Sequence, residues 1–323
     1  MFETKLLCDQ IIKILFLNSN EILKTKHKNA FIKLGFHNVL ALVTLIAIGS
    51  ATRIMEAGLA CPDWPLCYGT FLPLKHMNLR VFLEWFHRLD AFFVGTLILA
   101  QFSLSIIWRK NLPSWLPKIY SFLVFLIITQ GTLGALTVIN ILDPNTVMLH
   151  LILAFSILIT SIFINQNLEK KLLMPHKKLW WKIILYIPLT LTLTQSIIGV
   201  RLSSTWSAHL CLFNNQQCLI LNSHKFFAIP VAFSILLVIL ISLFKENLFL
   251  LNWKLLTSLF FLTALQISIG FLSLKTNLNQ PLLLITHQII ASLLIAILST
   301  LLFRVENQKE FYLRKDNVIL GFN

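Results

Sequence analysis

The chain has 323 residues, of which 57% are hydrophobic and 12% charged, with a mean hydropathy of +0.78. An ordinary soluble domain is nearer a quarter charged, so this composition points to a chain solvated by lipid and excludes a disulfide-stapled miniprotein or a disordered tail. The net charge of +14 does not signal nucleic acid, because the basic residues fall in short segments between apolar runs.

Taken in order, residues 1–30 mix lysines with interrupted apolar runs and lack a signal-peptide cleavage pattern. They are expected to form an inner tail with room for an interfacial helix around Ile11–Leu17. Eight apolar stretches follow, near 34–54, 84–108, 119–140, 146–166, 182–201, 223–244, 255–274 and 282–303. Each has the roughly 20 residues that an α-helix needs to cross a ~30 Å hydrocarbon core. Period-two alternation is absent, which argues against a membrane β-barrel. Residues 304–323 read as a second inner tail. With the N-terminus inside, 20 of the 27 Lys and Arg fall on the inner side, so both termini are expected in the cytoplasm.

The spans repeat. His87 and His150 are 63 residues apart, as are His224 and His287, and the two pairs are offset by 137. Gln130-Gly131-Thr132-Leu133-Gly134 recurs as Gln266-Ile267-Ser268-Ile269-Gly270 at offset 136, and Gly49 and Cys61 recur as Gly199 and Cys211 at offset 150. Four spans per unit is an even number, so both units enter the membrane from the same side. The predicted fold is therefore an all-α polytopic membrane protein whose eight transmembrane helices form two parallel-repeat four-helix bundles, 31–166 and 167–303.

All four repeated histidines lie near the outer ends of even-numbered spans, where an ionisable residue is a functional candidate by default. A zinc site would call for Cys, Asp or a third His nearby. Two histidines from two helices are the usual axial clamp of a haem iron, so His87 with His150 and His224 with His287 are predicted to hold two bis-histidine haems. The other histidines, His27, His37, His76, His176 and His209, do not repeat and are read as structural or solvated.

The two units differ beside the first histidine of each pair. Glu84-Trp85-Phe86-His87-Arg88 faces Leu221-Asn222-Ser223-His224-Lys225 in the repeat. Glu84 and His87 are i and i+3 and share a helix face, so a carboxylate stands beside one haem only. That asymmetry suggests chemistry in the first unit and electron handling in the second. The alternative is a glutamate that caps the second span, where the helix dipole favours negative charge. Arg53, Arg88, Arg201 and Lys225 are candidates for haem propionate contacts or for snorkelling to the interface. Cys61 with Cys67, and Cys211 with Cys218, read as disulfides stapling the outer loops or as redox-active pairs. Cys8, on the inner side, is unpaired.

Gly58-Leu59-Ala60-Cys61-Pro62-Asp63-Trp64-Pro65-Leu66-Cys67-Tyr68-Gly69, then Glu84-x-x-His87-Arg88, then His150, His224 and His287, resemble the haem A synthase family over about residues 34–303. The first loop has five residues between its cysteines, where some bacterial members have six. The resemblance implies an eight-helix enzyme of the cell membrane that oxidises a methyl group of haem O to a formyl group, giving haem A for cytochrome oxidase. It implies that His87 and His150 bracket the substrate haem, that His224 and His287 hold a resident haem b, and that Glu84 is the catalytic glutamate. It also implies the disulfides Cys61–Cys67 and Cys211–Cys218. Water would then supply the oxygen, with electrons leaving through haem b to an acceptor outside the chain. The partners implied are the bilayer and a haem O synthase (farnesyltransferase) as haem donor; the reading also allows a homo-oligomer. Two other classes compete: a di-haem cytochrome b-type electron carrier, and a two-repeat transporter, which would place its polar residues at mid-membrane.

Overall fold

The computed structural model describes the backbone of residues 2–169, 179–216 and 218–304. The expected inner tail beyond Arg304, the segment with Lys170, Lys171, His176, Lys177 and Lys178, and the side chain of Cys8 lie outside the described residues. The helices are α1 (Phe2–Ile54), α2 (Leu79–Ile107), α3 (Leu116–Ile139), α4 (Pro144–Leu168), α5 (Leu179–Ser204), α6 (Ser207–Asn214), α7 (Cys218–Leu243), α8 (Glu246–Lys275) and α9 (Pro281–Phe303). Among the described residues, the one extended pairing is an isolated bridge between Cys67 and Thr70.

Eight of these helices are long and apolar enough to cross a membrane, α6 being the short exception. Helices suit this setting because every backbone polar group must be satisfied inside the segment where no water is at hand. Their ends follow local chemistry. The Asn78 side chain accepts from the backbone N–H groups of Arg80 and Val81 and starts α2; Asp143 does the same for Asn145 and Thr146 at the start of α4. Pro144 and Pro281 open α4 and α9, where a missing N–H costs nothing. Helix α1 runs through the segment expected as a tail, because no Gly or Pro precedes Gly35 to interrupt it.

Neighbour relations set the architecture. α1 packs on α2 and α4, and α3 packs on the same two, closing a ring of the first four spans. The last four close likewise through α5–α7, α7–α8, α8–α9 and α9–α5. The rings meet where α9 packs on α1 and α4, and where α4 packs on α5. The core follows this seam: Phe155, Leu158 and Ile164 of α4 and Leu294, Ile295 and Leu298 of α9 are all buried. Phenylalanines such as Phe92, Phe125, Phe261 and Phe271 point outward, as lipid-facing positions should where tails are as apolar as the side chains.

Candidate functional site

Each repeated histidine packs its ring against a glycine of the preceding span. A Cβ built on Gly49 of α1 would lie 2.8 Å from Cε1 of His87; on Gly134 of α3, 3.3 Å from His150; on Gly199 of α5, 3.1 Å from His224; on Gly270 of α8, 3.0 Å from His287. These are close approaches that a side chain would obstruct. The glycines noted as repeat markers thus have a shared task, to let an imidazole lie flat against a neighbouring backbone.

Glutamine support repeats as well. The Gln130 side-chain amide lies 3.2 Å from Nε2 of His150, and that of Gln266 lies 3.2 Å from Nε2 of His287. In the second ring, Gln195 Nε2 also donates to the backbone carbonyl of His224 at 2.8 Å. The Nδ1 atoms of all four histidines are buried and have no hydrogen-bond partner. A buried polar atom at the same place in four residues calls for an explanation beyond chance. His224 and His287 face each other with ring centroids 6.4 Å apart.

Around His87 and His150 opens a cavity of about 1410 Å³, above the ~300–1,000 Å³ of an ordinary small-molecule pocket. Its wall includes Gly49, Glu84, His87, Arg88, Gln130 and His150, and it extends to Arg53, Ser203, Trp206, His209 and Gln288 where the rings meet.

Glu84 is 3% exposed and hydrogen-bonded through both oxygens. Its Oε2 accepts the Cys61 backbone N–H at 2.8 Å, and its Oε1 pairs with the Arg88 guanidinium at 2.5 Å. Arg88 also donates to the carbonyls of Asp63 and Leu66, both at 2.6 Å. Those carbonyls belong to the loop that the Cys61–Cys67 disulfide closes. The loop is braced again by Asp63, whose carboxylate accepts the N–H groups of Tyr68 and Gly69, and by Trp85, which donates to the Phe71 carbonyl. Glu84 does not cap α2; Asn78, six residues earlier, does.

The remaining sequence candidates are scattered. Arg53 donates to the Ser203 hydroxyl and Arg201 to Asn145 Oδ1, so both tie one ring to the other. Lys225 is exposed. The Cys211–Cys218 disulfide joins α6, which the sequence suggested as loop, to the start of α7. His27 stacks on Trp108 and His76 on Tyr68, while His37 bonds to the Lys33 carbonyl. His209 stacks on Phe213 from α6 and borders the cavity. Sequence reasoning passed over Asp90, one turn beyond His87, whose Oδ2 is buried and unpartnered. The signal was available: its counterpart at offset 137 is Phe227, so it too distinguishes the units.

A family model described as cytochrome oxidase assembly protein (COX15-CtaA) matches residues 33–299. The chain belongs to the COX15-CtaA family. It is 35% identical over 130 residues to a haem A synthase of Shewanella oneidensis, a match covering 35% of this chain and 38% of that protein. To a haem A synthase of an Exiguobacterium species it is 31% identical over 115 residues, covering 35% and 37% of the two chains. A 57-residue segment is 39% identical to a protohaem IX farnesyltransferase of Haloarcula marismortui, covering 18% of this chain and 12% of that one. The matched segments thus span little more than a third of the haem A synthases.

Proposed function

We propose that this COX15-CtaA protein is a haem A synthase, an oxidoreductase that converts a methyl group of haem O to a formyl group. The observation that carries the reading is the buried Glu84, held between a disulfide-closed loop and Arg88 at the wall of the cavity that His87 and His150 share. On this reading the chain is two parallel four-helix units, the first holding the substrate and the second a haem b.

The second histidine pair fits a haem. Two imidazoles binding one metal ion from opposite sides have centroids roughly 6 Å apart, from ~2 Å per metal–nitrogen bond and about 1.1 Å from ring centre to nitrogen. The 6.4 Å between His224 and His287 matches that span. The glycine seats recur at both pairs, which supports the same assignment for His87 and His150. Among the described residues there is no group of three or more His, Cys, Asp or Glu; paired histidines suffice where a macrocycle supplies the equatorial ligands. When bound, haem b supplies one-electron transfer.

The reaction balances with water as oxygen source. A methyl group and two waters give a gem-diol, four electrons and four protons, and loss of one water leaves the aldehyde. With His87 and His150 both bound to the substrate iron, no position would remain there for oxygen. Glu84 has the chemistry to stabilise positive charge developing at the methyl carbon, or to accept the proton of the attacking water. Its two oxygens each accept one hydrogen bond and so retain a free lone pair apiece. Arg88 and the Cys61 N–H keep the carboxylate in place without proton transfer. The electrons pass to an acceptor outside the chain. The basic-residue bias supports both termini in the cytoplasm of a bacterial cell, and a farnesyltransferase is the donor the substrate chemistry calls for.

The haem inventory of the purified protein beside Glu84→Gln tests this. The variant should accumulate haem O or its hydroxylated form, with turnover down about 10²–10⁴-fold and a near-normal haem spectrum. Wild-type turnover in Glu84→Gln would remove Glu84 from the chemistry. Two non-exchanging b-type haems and no haem O or A in the wild type would favour the electron carrier.

A further inference from the structure

The cavity does not end at the histidines. From His87 it continues inward along α2, past Phe92, Gly95, Thr96 and Leu99, against Ile127 and Gly131 of α3. Eight to twelve residues along a helix is about 12–18 Å of extra depth. This stretch is apolar apart from one threonine, and it opens sideways. Phe92 is 65% and Leu99 48% exposed, and a Cβ on Gly131 would meet nothing within 4 Å. One on Gly95 would touch Ile127 at 3.6 Å, so the helices come together there and part beside it.

The second ring carries larger side chains at the same places. The counterparts of Gly95, Thr96 and Gly131 at the repeat offsets are Ala232, Phe233 and Ile267. Two glycines and a threonine in one unit stand where the other has three larger side chains.

We propose that the gap between α2 and α3 receives the isoprenoid tail of the porphyrin substrate. This rests on the reading that His87 and His150 take haem O, which differs from protohaem chiefly by a farnesyl-derived tail. A resident haem b has no tail and needs no gap, which accounts for Ala232 and Ile267. The tail gains little from being buried, since lipid is as apolar as the gap. The gap acts by permission: it lets the ring plane reach the two histidines while the tail leaves sideways into the bilayer. Closing it turns the tail into an overpacked group and leaves a tail-less porphyrin untouched.

Absorbance titrations of the purified full-length protein with haem O and with protohaem separate the possibilities. Gly131→Ile, which installs the second unit's residue, should weaken haem O binding by about tenfold or more and change protohaem binding by no more than about twofold. Ile267→Gly should change neither. Equal weakening of both haems by Gly131→Ile, or of neither, overturns the proposal; the second result would leave the gap to a lipid chain. His87→Ala is the separate control: if it leaves both affinities intact, the substrate site itself is misplaced, whatever the gap does.

Discussion

Positions 84 and 221 are repeat counterparts, and both are 3% exposed, yet one is a glutamate and the other a leucine. Leu221 is plugged into a small apolar cluster with Leu202 and Ala208, beside Cys211 and Leu278. Glu84 sits in an equally closed place that supplies two donors, the Arg88 guanidinium and the Cys61 N–H, and Arg88 is itself held by two loop carbonyls. A buried charge is costly unless it is paired and hydrogen-bonded. The first outer loop is therefore the structure that makes a carboxylate tolerable here, and the second unit, with an ordinary hydrophobic contact, needs no such loop. The duplicated frame holds two histidine pairs; the loop and its cage set one pair apart.

The comparison is broken most completely at the histidines of the quieter unit. On the proposed assignment, His224→Ala or His287→Ala empties the second site of its haem, halving the bound pigment, while His87 and His150 stay in place at the first. A pyridine haemochrome assay against protein concentration measures this, and a full low-spin bis-histidine spectrum in either variant would refute the pairing. Next in size is the cage. Arg88→Ala leaves a buried carboxylate without its cation, for which about 3–5 kcal/mol of destabilisation is expected. Arg88→Lys should restore the charge and part of the turnover, but not the fork that reaches Glu84 and two carbonyls together. Equal turnover for the lysine variant and wild type would show that charge alone matters. The smallest effect is expected from replacing Cys61 and Cys67 together by Ser. Loss of so short a cross-link should cost about 2 kcal/mol and lower turnover while both haems stay bound. Thermal unfolding with haem as the reporter checks it, and the same substitution at Cys211 and Cys218 should spare turnover more.

Much of this arrangement was legible in the residues. Membrane spans announce themselves because charge cannot be left in lipid, so Arg109-Lys110 and Lys245-Glu246 mark their ends without any knowledge of packing. The histidine pairs were legible because duplication writes the same spacing twice. Gly49, Gly134, Gly199 and Gly270 were visible as repeats but not as seats, since the ring that each receives comes from another helix. Of the partners of Glu84, Arg88 at i+4 was legible from helix spacing and the others were not. They are an N–H of Cys61, 23 residues away, and carbonyls reached through Arg88; backbone groups carry no sequence signature. Asn78 as the true cap of α2 was available from local pattern alone, and its presence there is what frees Glu84 from that role. Helix α6 escaped notice because eight residues are too short for a periodic signal.

Gln288 follows His287 in the chain, yet it belongs to the wall of the cavity that His87 and His150 share, because α9 packs against α4 and α1. Helix α9 is therefore a partition shared by both pairs: it carries His287 and, one residue on, walls the cavity at His87 and His150. In a medium of low dielectric, a unit of charge gained or lost on one side of such a partition is felt on the other far more than it would be through water. On the proposed assignment, linkage makes the influence mutual: whatever factor an electron on a haem between His224 and His287 imposes on occupancy at His87 and His150, occupancy there imposes on the electron in return.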